Sequence, residues 1–122
     1  MRITIHENLA DIPAAAWNAL TDGRDPFLRH EFLVALERHN CVGEQFGWLP
    51  RHLAAYDDSG TLIGAVPLYL KDNSYGEFVF DWAWADAYAR NGLQYYPKLV
   101  SAIPYTPATG SRILIASGID RA

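Results

Sequence analysis

Apolar and polar residues alternate at the start of the chain, where RITIHE (residues 2 to 7) reads as a β-strand. The period then changes. Ile12, Ala16, Ala19 and Leu20 recur at helical spacing, with Asp11 as the expected N-cap, Pro13 in the first turn and Asp22-Gly23 as the stop. A second helix is expected from about His30 to His39, with Phe32, Leu33, Ala35 and Leu36 facing inward, Glu31, Glu37 and Arg38 facing water, and Asn40 closing it. An aromatic, Gly-containing loop, CVGEQFGWLP, follows. RHLAAYDD and TLIGAVPLYLKD are then two strand-like runs joined around Asp58-Ser59-Gly60, a hairpin signal. Pro67 has no N–H to give to a ladder, so it marks a sheet edge, a bulge or the end of regular pairing.

EFVF (77 to 80) is a short strand-like run, and Asp81 is placed to cap a third helix, WAWADAYARNG. That helix carries Trp84 and Tyr88 on one face, an Asp86/Arg90 pair at i,i+4, and Gly92 as its stop. KLVSAIPY and RILIA supply the last strands. The order is β-α-α-β-β-α-β-β, an α/β or α+β domain with a mostly antiparallel start and no repeat or linker.

The 122 residues suffice for one core, and half of them are apolar, so the chain is expected to fold as a single domain, 1–122. A net charge of -4 argues against broad charge-driven binding to nucleic acid or anionic membranes. One cysteine, Cys41, excludes an internal disulfide framework and fits a reducing cytoplasm, and neither a signal peptide nor a membrane-inserting apolar run is seen. The chain stops just past an apparent strand, so either the tail frays or the sequence is expected to be a piece of a longer protein.

The chemistry-bearing motifs are few. His6, His30, His39 and His52 lack ligand spacing, so no metal site is expected. GxSxG, GxxxxGK[ST] and GxGxxG are all missing, which sets aside hydrolase, P-loop and Rossmann readings. Cys41 reads as a plain thiol at a helix end rather than a nucleophile. The densest stretch is SYGEFVFDWAWADAY, where Tyr75, Glu77, Asp81, Trp82, Trp84, Asp86 and Tyr88 set aromatic faces beside carboxylates. Such a set suits a cleft for a sugar- or peptide-like ligand. The plainer alternative makes Asp81 a cap, Trp84 and Tyr88 core, and Asp86 a partner of Arg90. Lys98 in YYPKL and Arg112 after the Gly110 turn of PYTPATGSR either meet an anionic group or lie on an edge as solvated cations.

HEFLVALERHNCVG, RHLAAYDDSGTLIGAVPLYLKDNSYGEFVFDWAWADAYARNGLQYYPKL and IPYTPATGSRIL together resemble the amino-terminal part of FemAB-like proteins, over about residues 24 to 115. This bacterial group is described as peptidoglycan-biosynthesis or GNAT-type N-acyltransferases. The resemblance implies a GNAT-like mixed sheet flanked by helices, two such modules in full-length relatives, and transfer of an acyl or aminoacyl group to an amine. The chain is similar to the first module only, and the Q/RxxGxG/A loop with which GNAT enzymes hold acetyl-CoA is missing. No cofactor is therefore expected on this fragment, with acyl-CoA or aminoacyl-tRNA as the donor of the full-length protein. The implied acceptor is a small molecule or cell-wall precursor, lined by Lys71, Tyr75, Asp81, Trp82, Lys98, Tyr105, Thr109 and Arg112. Asp81 or Glu77 is the expected proton acceptor or amine-orienting group. The rival expectation is a non-catalytic peptide- or glycan-binding module acting through a partner or as a homodimer.

Overall fold

In a computed structural model, which describes residues 1–75, 77, 81–106 and 110–119, the described residues form seven strands and three α-helices. They are β1 (Arg2–His6), α1 (Ala14–Asn18), α2 (His30–Arg38), β2 (Trp48–Pro50), β3 (His52–Tyr56), β4 (Leu62–Val66), β5 (Tyr69–Lys71), α3 (Trp82–Arg90), β6 (Lys98–Val100) and β7 (Leu114–Ile115). The α+β class is the expected one. The strands fall into two sheets, ordered β1-β3-β4-β7 and β2-β5-β6, and every pair is antiparallel among the described residues.

Two strands were not expected as separate elements. β2 is only three residues long and contains Pro50, too short for a period to show. The run after Thr61 splits at Pro67 into β4 and β5, one in each sheet, as a residue without an N–H dictates when it ends pairing. The hairpin between β3 and β4 is tied by Asp57, whose Oδ1 accepts from the Ser59 and Thr61 backbone N–H groups at 3.0 and 2.9 Å. Of the expected EFVF strand, residues 78–80 lie outside the described residues.

α1 and α2 cover one face of the four-stranded sheet. Leu9, Ile12, Trp17, Leu20, Leu28, Leu33, Val34, Ala54, Ala65 and Leu114 form the core there. The expected helix faces shift slightly: Trp17 and Val34 are buried, whereas Phe32 and Leu36 pack only at its margin. Asp11 does not cap α1. Asn8 caps a 3-10 turn, Leu9–Asp11, accepting from the Ala10 N–H, and α1 begins after Pro13. The Trp17 indole N–H donates to the Leu28 carbonyl at 2.9 Å, so its large ring is buried without an unsatisfied donor.

A buried polar clamp links these elements. His52 Nδ1 accepts from the Leu68 N–H at 3.2 Å, which assigns the proton to Nε2, and this nitrogen donates to Glu37 Oε2 at 2.9 Å. Glu37 Oε1 accepts from the Leu9 N–H at 2.9 Å. α2, β3 and the first turn are thereby held together.

The other face of this sheet is uncovered by any described element. Ile3 and Ile5 point onto it with 60% and 63% of their surface exposed, while Thr4 and His6 turn inward. An open apolar groove of about 250 Å³, lined among others by Ile3, Ala55, Gly64 and Ile115, runs across it.

Candidate functional site

The three-stranded sheet sets up the site through its register. Trp48 on β2 lies opposite Lys71 on β5, and Lys71 lies opposite Lys98 on β6, so one row crosses the whole sheet. Directly opposed side chains point to the same face, and two ammonium groups side by side repel. Glu77 resolves this conflict. Its Oε2 lies 3.0 Å from Lys71 Nζ, and its Oε1 accepts from Lys98 Nζ, also at 3.0 Å.

Lys71 has no exposed surface. Its ammonium sits 3.9 Å from the Trp48 ring centroid and also donates to the Tyr75 carbonyl. The same carbonyl accepts from the Trp48 indole N–H at 3.1 Å. Anion, carbonyl and π face together compensate a buried cation. Burial lowers the Lys71 pKa, against the opposing pull of the Glu77 carboxylate.

Asp81 occupies the N-cap position of α3, but its carboxylate does not cap the helix. It turns instead to Lys98 Nζ and accepts from the Tyr95 hydroxyl at 2.8 Å. The hydrogen bond from Lys98 holds its carboxyl below the usual carboxylate range, with burial opposing and Tyr95 assisting. For Lys98, burial alone would lower the pKa; the hydrogen bonds to Asp81 and Glu77 outweigh it and push the ammonium up to about 12. The Tyr95 and Tyr96 ring centroids stand 5.2 and 5.6 Å from that ammonium. Tyr95 is in turn raised by burial and by the bond to Asp81.

Around this charge cluster lie aromatic side chains open to water. Tyr75, Trp82 and Trp84 are exposed, as is Tyr88, which meets Tyr95 edge-on at 5.0 Å. Trp84 and Tyr88 are therefore not core residues. No residue of α3 is buried, and its Asp86/Arg90 pair is exposed at i,i+4. The helix ends as its sequence suggests, at Gly92 with φ 71°.

Of the expected site residues, Lys71, Glu77, Asp81 and Lys98 converge, and Tyr75 joins them through its backbone carbonyl. Tyr105 meets the row only at its Trp48 end: its ring packs 5.7 Å from that of Trp48, and its hydroxyl donates to the Cys41 carbonyl at 2.8 Å. Arg112 sits beside Gly110, donating to its carbonyl at 3.3 Å, near Asp25. Thr109 lies outside the described residues. Trp48, Tyr95 and Tyr96 were not singled out from the sequence, although Tyr95 and Tyr96 stand in the quoted YYPKL. Only the strand register reveals Trp48. Among the described residues, no group of three His, Cys, Asp or Glu side chains could hold a metal ion, and no helix is long and apolar enough to cross a membrane.

The family model for FemAB-like proteins, described as peptidoglycan biosynthesis/recognition, matches residues 8–122. The chain belongs to the FemAB-like family. Comparison with curated proteins and with solved structures gave no match. Within this FemAB-like chain, the row Trp48–Lys71–Lys98 and its two carboxylates are where charge and aromatic surface coincide.

Proposed function

We propose that this chain is the acceptor-binding module of a GNAT-type N-acyltransferase acting in peptidoglycan metabolism in the cytoplasm. The observation that carries the reading is one ammonium, Lys98, held by Glu77, Asp81 and two tyrosine rings beside exposed Trp82 and Tyr75. Polar groups of fixed orientation next to aromatic faces suit a sugar- or peptide-bearing acceptor.

The transfer would be direct attack of the acceptor amine on an acyl or aminoacyl carbonyl, with acyl-CoA or aminoacyl-tRNA as donor in a full-length protein. Such a reaction rests on positioning and removal of a proton, not on a covalent enzyme intermediate. A carboxylate whose pKa is lowered is a weak base. Asp81 therefore suits orienting an ammonium group better than accepting its proton. Lys71, buried and triply contacted, fixes Glu77 and does not meet the ligand itself.

A second reading, recognition of a glycan or peptide without chemistry, is favoured by the two exposed tryptophans of α3. Calorimetric titration with a soluble muramyl peptide tests what both readings share. Saturable binding is expected, weakened about tenfold or more by Trp82→Ala or Lys98→Ala, in line with the worth of one stacking or charged contact. Heat of dilution alone would overturn both. Acyl transfer by a full-length protein separates the two: turnover is expected of the enzyme, and binding without turnover would leave recognition alone.

A further inference from the structure

We infer that two copies of this chain associate by antiparallel pairing of β1 with β1, joining their four-stranded sheets edge to edge. The free edges of a sheet expose unpaired N–H and C=O groups, and proteins blunt them with proline, lysine, bulges or short length. Three of the four edges here are blunted. β2 contains Pro50, β6 is three residues long, follows Pro97 and carries Lys98, and β7 is two residues long. β1 has a charge only at its first residue, Arg2, and none of the other devices. It is five residues long, RITIH, with Ile3, Thr4 and Ile5 at its centre, and among the described residues it pairs on one side only, with β3.

Reversed on itself, β1 matches its two isoleucines and sets Arg2 against the partner's His6. A two-fold axis at Thr4 sets Ile3 against the partner's Ile5 and Ile5 against the partner's Ile3, which pairs four exposed β-branched side chains on the uncovered face. The same register carries the Met1 ammonium to the partner's Glu7, once at each end of the seam. Glu7 is three-quarters exposed and lies 3.8 Å from the Arg51 guanidinium, a loose surface pair, and among the described residues the Met1 ammonium pairs with Asp58, a fully exposed carboxylate at 3.2 Å. Opposite charges at both ends favour this register over a slip by two residues in either direction. A five-residue seam is small against the roughly 800 Å² per partner of a standard interface, so the equilibrium is concentration-dependent.

Sedimentation equilibrium of the 122-residue chain, with a cross-linking variant beside it, is the test. A monomer–dimer equilibrium is expected, and Ile3→Lys/Ile5→Lys should raise its dissociation constant about tenfold or more, since like charges would face across the seam. The circular dichroism spectrum of that variant should be unchanged, because both side chains are exposed. In a Cys41→Ser background, Thr4→Cys should form a disulfide-linked dimer under mild oxidation, whereas Leu99→Cys on β6 should not. A strictly monomeric chain up to about 1 mM, a threshold of only about 4 kcal/mol of binding, overturns the inference. So does a dimer that the Ile3→Lys/Ile5→Lys variant leaves intact, or one whose Thr4→Cys form fails to cross-link.

Discussion

Glu77 is the residue on which the local electrostatics turn, because one carboxylate serves two ammonium groups from neighbouring strands. Removing its charge strands Lys71 in a place with no access to water. Breaking a buried pair by deleting one partner costs about 3 kcal/mol or more, whereas replacing a buried charge by an apolar side chain of similar volume is close to neutral. Glu77→Gln is thus expected to destabilise by about 3 kcal/mol in urea unfolding. Lys71→Met, which leaves Glu77 its bond to Lys98 and leaves the Trp48 ring a neighbour to pack on, should cost about 1 kcal/mol or less. Equal losses in the two variants would mean that Lys71 is not buried as described. Gly47 illustrates a different constraint at the same scale: at φ 71°, a Cβ there would collide with the Asp72 and Asn73 side chains that lead into the site.

At the scale of elements, α3 is unusual in having no buried residue, and Asp81 at its start and the Tyr88–Tyr95 contact along its length help to attach it. The two ion-pair partners set the pH window. Asp81, with its folded-state pKa below 3.8, contributes stability that is present above 3.8 and lost as pH falls through the folded value. Lys98, raised from 10.5 to about 12, contributes stability that is full below 10.5 and lost as pH rises through about 12. Lys71 runs the other way, since its lowered pKa makes the charged form the costlier one when folded. α3 should therefore stay docked between about pH 4 and 10 and loosen in acid. Amide hydrogen exchange across 82 to 90 is the readout, corrected for the intrinsic pH dependence of exchange. Asp81→Asn should show the acid-like exchange already at pH 7; unchanged protection there would place the attachment elsewhere. α2, α3 and the long hairpin were legible because each spans enough residues for a period and carries its own stop, Asn40 at φ 56°, Gly92 at φ 71° and the Asp58-Ser59-Gly60 turn, whereas α1 is only five residues long and ends at Asn18, short of Asp22-Gly23. β2 and the burial of α3's aromatics were not legible. A three-residue strand has no period, and the spacing of Trp84 and Tyr88 gives them a common face without saying whether anything covers it.

For the whole molecule, stability is concentrated in the layer between α1, α2 and the four-stranded sheet, while the three-stranded sheet has only a small apolar cluster of Val42, Trp48 and Tyr69. Trp17→Ala should destabilise by about 3 to 5 kcal/mol, the usual cost of removing a large buried ring and a large share of the total stability of a chain of this size. Thermal unfolding followed by circular dichroism checks this, and a shift of only a few degrees would argue against a single main core. The division also explains why the candidate site could be read only in part from sequence. Lys71, Glu77, Asp81 and Lys98 were visible as residue types, but the row that aligns Trp48, Lys71 and Lys98 depends on which strands neighbour one another. The four tryptophans fall on both sides of the same division: Trp17 and Trp48 are sealed inside, Trp82 and Trp84 lie open on α3. The molecule thus carries two sets of intrinsic fluorophores. Acrylamide reaches only the open pair, so quenching follows events on α3 while the shielded emission reports on the integrity of the interior.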